Sequence, residues 1–150
     1  MPQQRNLEQR LAALLTHEKL GVLSTCGEQQ PNASIVAFAT TEDLQHIVFV
    51  TPRTTRKYAN LAANARIAVL VDNRSNRASD FRRAMAATAV GRVREVRKAR
   101  NSRLIRIYLD KHPHLEDFVW SPARAVLDVW VESYYVVERF QQVSELHLRH

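Results

Sequence analysis

Glycine, cysteine and long apolar runs are all scarce in this chain of 150 residues. The 3 glycines, Gly21, Gly27 and Gly91, fall at neither the Walker spacing nor the dinucleotide-binding fingerprint. A glycine-rich phosphate cradle is therefore excluded, and any phosphate has to be held by side chains and a helix end. The single cysteine, Cys26, excludes an internal disulfide and a Cys-rich zinc site, and it suits a reducing cytoplasm. Apolar runs such as Ile67 to Val71 are far shorter than the roughly 20 residues of a membrane helix, so no membrane partner is expected. No apolar stretch follows Met1-Pro-Gln-Gln-Arg-Asn6, so no secretory signal is read.

What remains is a globular composition, 45% apolar and 25% charged, with a net charge of +7. That size and balance suit one domain over residues 1–150 with a core of its own. Leu7, Leu11, Leu14 and Leu15 repeat at helical spacing over residues 6–17, with Asn6 as N-cap. β-type runs follow at 21–26, 32–40 and 46–51, separated by the turns Gly27 to Pro31 and Thr41 to Asp43. Residues 54–64 read as a helix, 66–71 as a buried strand and 72–80 as a polar loop. A strand at about 87–96 carries Gly91 as a bulge marker. A helix at 100–111 ends before Pro113, a helical turn falls at 114–120, and 125–140 reads as a strand pair or one bent strand. Several strands, few long helices and short connections predict a mainly β fold, an antiparallel barrel with peripheral helices.

One cluster of charge sits where it should be unfavourable. Thr51-Pro-Arg-Thr-Thr-Arg-Lys57 joins a strand to a helix, with Thr54 or Thr55 as N-cap. Arg56 and Lys57 then fall in the first helical turn, where the dipole and unpaired amides disfavour cations by roughly 0.3–1 kcal/mol each. Arg53 adds a third positive charge. An anion at the helix end resolves the conflict, because a phosphate would accept from amides, threonine hydroxyls and cationic heads together. The alternative is that these side chains point into solvent or pair with Glu42 or Asp43.

The order of these segments carries a resemblance. Pro31 to Thr40, Ile47 to Lys57, Asn60-Leu61 and Asn64 to Val71 together resemble the FMN-binding split-barrel family typified by pyridoxamine 5′-phosphate oxidase. The likeness continues more weakly through Thr88 to Val93 and Tyr134 to Phe140. It implies a split β-barrel of antiparallel, Greek-key-like strands, with FMN as cofactor. Carried over by position, Arg56 and Lys57 would hold the FMN phosphate with help from Thr55; Arg53, absent from the oxidase pattern, would replace some of the positive charge that the oxidases have elsewhere. Val50 and Thr51 would lie beside the ring and ribityl chain, and Ser34, Ile35, Val36 and Ala37 would run along the isoalloxazine. Members are usually homodimers with two flavins in the subunit interface. The oxidases carry Arg at the place of Ser34 and Lys at that of Ala39, and they end in a Trp and Arg-x-His block. This chain has none of these, so it resembles a smaller, generic flavin-binding relative, an FMN-dependent oxidoreductase of unknown substrate.

Other classes gain less support. Residues 74–106 hold eleven Lys or Arg and two acids, Asp80 and Glu95. Phe81 is the one aromatic there, however, so nucleic-acid binding is not the expected role. The six histidines have no Cys or carboxylate cluster at ligand spacing, and no metal site is expected. Cys26 reads as a small packed residue. Trp120 and Trp130 read as core or interface residues. No general acid or base stands out, as is usual where a cofactor breaks the bonds. The competing reading is a non-enzymatic protein that stores or senses flavin or haem, or a basic nucleic-acid-binding module.

Overall fold

The computed structural model describes residues 2–150. The chain runs α1 (Pro2–His17), β1 (Leu20–Gly27), β2 (Gln30–Thr40), β3 (His46–Pro52), α2 (Arg56–Ala63), β4 (Arg66–Asp72), α3 (Asp80–Arg83) and β5 (Met85–Val96). It continues through α4 (Arg103–Lys111), a 3₁₀ turn (Pro113–Leu115), α5 (Glu116–Trp120), β6 (Arg124–Glu138) and β7 (Gln142–His147). The strands lie in the order β3-β2-β1-β4-β5-β6-β7, and a β3–β6 pairing closes the first six into an antiparallel barrel. The expected mainly β barrel with outer helices is what forms. No helix among the described residues is long and apolar enough to cross a membrane.

Alternation decides which side chains fill the barrel. In β4, Ile67, Val69 and Val71 are buried while Ala68 and Leu70 are half-buried on the outer face. β5 repeats this with Met85, Ala87 and Ala89 inside. The leucines of α1 at 7, 11, 14 and 15 join the same core. A second, smaller core lies outside the barrel, where Ala39, Val48, Val50 and Val126 pack against Ile105 and Tyr108 of α4 and Val119 of α5. β3 is thus apolar on both faces, which explains its unbroken run Ile47-Val-Phe-Val50.

Two local features shape the barrel. The β5–β6 register shifts between Val90 and Gly91, where a Cβ on Gly91 would lie 2.1 Å from the Trp130 carbonyl oxygen. This shift marks where β6 leaves β3 and takes up β7: its residues 124–130 pair with β3, and 133–138 pair with β7. Residues 124–138 form one strand rather than two. The β1–β2 turn puts Glu28 and Gln29 at φ 49° and 65°, both left-handed as a two-residue hairpin requires.

Some expectations are corrected. The first helix starts at Pro2, so Asn6 lies inside it and is no cap; proline suits a first helical turn because its missing N–H is not needed there. Cys26 is exposed rather than packed, because at the hairpin end its neighbour Thr25 takes the inward position. The short helix α3 follows the polar loop, and β7 adds a strand at the end of the chain.

Outside the barrel, Lys111 ties α4 to α1. Its Nζ donates to the carbonyls of Leu15 at 2.8 Å and Glu18 at 2.6 Å, and it lies 4.0 Å from the Phe38 ring centroid. The neighbouring His112 is 2% exposed and donates from Nε2 to the Phe38 carbonyl at 2.7 Å, and burial holds it towards its neutral form. Burial likewise pulls Lys111 down from 10.5 to about 8. Between those values the unfolded chain binds the extra proton, so Lys111 adds stability as pH rises through that window. Urea unfolding at a series of pH values should show the natural chain gaining on a Lys111→Met variant between about pH 8 and pH 10.5. A constant difference would show that Lys111 titrates normally.

Candidate functional site

β3 has two edges and uses them unequally. One pairs with β6 over its whole length, from His46 opposite Trp130 to Pro52 opposite Arg124. The other meets β2 at three rungs, Phe38–Phe49, Ala39–Val48 and Thr40–Ile47. The next rungs would join Ala37 to Val50 and Val36 to Thr51, and they are not made. Over Ser34 to Ala37, β2 pairs with β1 alone. The barrel is split here, and the outer edge of β2 faces the divergence with its peptide groups free. An unpaired strand edge invites a planar, hydrogen-bonding guest.

The predicted residues distribute around this split. Val36, Val50 and Thr51 are buried, and Ile35 is 68% exposed. Ser34 Oγ is buried and has no hydrogen-bond partner. Such an orphan costs about 1–3 kcal/mol, and a ligand entering the split could satisfy it. At the end of β3 the hydroxyls form a chain. Thr51 Oγ1 lies 3.1 Å from Thr55 Oγ1, which donates to the Pro52 carbonyl at 2.9 Å. Thr55 is the N-cap of α2 and accepts from the Tyr58 amide at 3.3 Å. The amides of Arg56 and Lys57 precede the first intrahelical bonds and remain available.

The three cations separate into two kinds. Arg56 is exposed and Lys57 half-buried, and neither forms an ion pair among the described residues. Arg53 is held elsewhere: its Nη1 donates to Glu95 at 2.9 Å and to the Tyr58 hydroxyl at 3.1 Å, and its Nε to the Pro122 carbonyl at 3.3 Å. The Glu95 bond holds its guanidinium still further towards the charged form. The pairing with Glu42 or Asp43 does not occur. Glu95 is 42 residues away in the chain, so no local signal could have named it.

Arg56 borders a groove of about 460 Å³ with Thr54, Thr55, Gly27, Glu28 and Asn60. Sequence reasoning missed the clamp that forms its far wall. Asn60 Nδ2 donates to Thr25 Oγ1 at 3.1 Å, drawing α2 against the β1–β2 hairpin. A Cβ on Gly27 would lie 2.2 Å from Asn60 Oδ1, so any larger residue would have to push the Asn60 side chain from its place against Thr25. None of the six histidines lines this groove, and among the described residues no His, Cys, Asp and Glu cluster could hold a metal ion.

Strand order, split and helix end define the class: a split barrel with an anion-competent helix start beside its opening. The family model for pyridoxamine 5′-phosphate oxidase matches residues 7–138, and the chain belongs to that family. No individually curated protein matches the sequence. Solved structures share the fold at low identity. A heme binding protein from Mycobacterium smegmatis aligns with TM-score 0.82 and 15% identity over 93% of this chain; this chain spans 57% of that protein's length. A putative pyridoxamine 5′-phosphate oxidase from Listeria innocua gives 0.68 and 17%, covering 87% of this chain and 98% of the other. A FAD-binding protein from Mesorhizobium loti gives 0.66 and 19%, covering 85% and 91%.

The clamp at Gly27 generates a direct test. Gly27→Ala should destabilise the fold by about 1–3 kcal/mol in urea unfolding, as overpacking does. Adding Asn60→Ala should recover part of that loss. A Gly27→Ala chain as stable as the natural one would show that the hairpin yields freely.

Proposed function

We propose that this chain is an FMN-binding flavoprotein and an oxidoreductase, active as a homodimer with flavin at the subunit interface. The observation that carries this reading is the adjacency of two features. An unpaired β2 edge at Ser34 to Ala37 lies beside a helix start whose cations, Arg56 and Lys57, form no ion pair among the described residues. The first suits the carbonyls and N–H of an isoalloxazine, and the second suits a phosphate. Thr55 orders the helix start, Val50 and Thr51 wall the ribityl path, and Ser34 Oγ offers a hydrogen bond to the ring. Arg53, paired with Glu95, braces the loop that leads into α2. When bound, the flavin would supply hydride acceptance and electron transfer.

The dimer is supported by the outer face of the sheet. Leu20 and Ile35 are 58% and 68% exposed. Val22 lies opposite Ile35 and Leu70, Leu20 opposite Ala37, and Ala68 opposite Val90. A contiguous apolar face of this kind marks an association surface. A second copy would bring its own split and helix start close to it.

Haem is the second reading, favoured by the fold shared with the Mycobacterium smegmatis heme binding protein. A groove lined by no histidine favours flavin. The visible spectrum separates the two: purified protein loaded with FMN should show two flavin bands and elute as a dimer, whereas a Soret band would identify haem. Arg56→Ala with Lys57→Ala should weaken FMN binding by roughly a hundredfold or more, from the loss of two charge-assisted contacts. Unchanged affinity would remove the proposed phosphate site.

A further inference from the structure

The corner where α5 meets β6 holds donors without acceptors. Trp120 Nε1 and Arg124 Nε are both buried and without a hydrogen-bond partner. In a folded protein nearly all such groups are paired. The two belong to one short segment, Trp120 closing α5 and Arg124 opening β6, and their surroundings are cationic. The Arg100 guanidinium carbon lies 4.9 Å from the Trp120 ring centroid, and that of Arg124 lies 4.6 Å from the Phe118 centroid. Lys98 Nζ donates to the Ser121 carbonyl at 2.6 Å, and Arg53 Nε to the Pro122 carbonyl at 3.3 Å.

Three cations without a carboxylate partner among the described residues, Lys98, Arg100 and Arg124, therefore meet around one turn, beside an Arg53 that Glu95 neutralises. The nearby carboxylates do not neutralise them: Glu95 is taken up by Arg53 and Tyr58, and Glu116 and Asp117 open α5 at its other end without an ion pair. Burial and the nearby guanidinia of Arg53 and Arg124 pull Lys98 below its ordinary value. Stacking on Phe118 and Trp120 restricts the two guanidinium planes. Restricted planes, orphaned N–H groups and uncompensated charge are what a carboxylate or phosphate requires of its receptor.

We infer that this corner is a second anion-binding subsite, formed by Lys98, Arg100, Trp120 and Arg124, which takes a phosphate or carboxylate group. Its four residues are separate from Arg56 and Lys57, so it stands whether or not the helix start holds flavin. Arg53 links the two places: its backbone amide bonds the Ala123 carbonyl at 3.0 Å, and Arg56 follows three residues later. Two sources could deliver the anion, the outer phosphate of a dinucleotide whose inner phosphate sits at α2, or an anionic co-substrate.

Inorganic pyrophosphate is the probe, and Trp120 is the reporter in a Trp130→Phe chain. Pyrophosphate should change Trp120 emission saturably. Arg100→Gln with Arg124→Gln should weaken this response by about tenfold or more, while Arg56→Ala with Lys57→Ala leaves it in place. If the double variant misfolds, Arg100→Gln alone, at an exposed position, serves with Lys98→Gln. No saturable response, a response indifferent to these changes, or one abolished by Arg56→Ala with Lys57→Ala would overturn the subsite. Comparing FMN with FAD then identifies the source. A loss of FAD affinity alone in the Arg100/Arg124 variant assigns the anion to the cofactor. Unchanged affinity for both, with pyrophosphate lost, assigns it to a co-substrate.

Discussion

A β-strand has two edges, and the way β3 divides its own sets the rest of this structure. The full-length pairing with β6 closes the barrel. That closure directs β3 away from β2 after three rungs and leaves Ser34 to Ala37 bonded on one side only. The same divergence ends at Pro52, so the chain turns into α2 beside the split. Closure and site are thus one geometric event. The Gly91 bulge is its counterpart on the opposite strand pair, where Trp130 approaches so closely that no side chain fits and β6 bends from β3 towards β7.

Charge is arranged around that geometry in three ways. Asp128, fully buried on β6, is held by His46 Nδ1 at 2.9 Å and by Arg94 Nε at 3.2 Å. It resolves its charge internally. Lys111 does so through carbonyls and an aromatic face. Arg56 and Lys57 form no ion pair among the described residues, and the buried N–H groups of Trp120 and Arg124 find no acceptor there. A protein that satisfies its buried charges in one region and leaves donors idle in another marks the second for ligands.

The chain is a pyridoxamine 5′-phosphate oxidase family member. Serine stands at position 34 and alanine at position 39, where the resemblance to the oxidases leads one to expect arginine and lysine. The Ser34 hydroxyl is buried and idle, and Ala39 belongs to the packing under α4.

Much of this was legible in the sequence, because the relevant physics is local. Alternation placed β2 to β5 within a residue or two, and the N-cap at Thr54 or Thr55 and the conflict of charge at Arg56 and Lys57 depend on immediate neighbours. The bulge at Gly91 was legible for the same reason. Contacts between distant residues were not. Glu95 capturing Arg53, Asn60 reaching Thr25 and the three-rung limit of the β2–β3 ladder each depend on barrel closure, which no local pattern encodes. Burial also had to wait for the fold. Cys26 and Thr25 are adjacent in sequence, and only the register of the hairpin decided which of them faces inward. The sequence determined the elements and the unbalanced charge. The tertiary structure decided which charges were answered, because an ion pair or a buried donor exists only once the chain has brought both sides together.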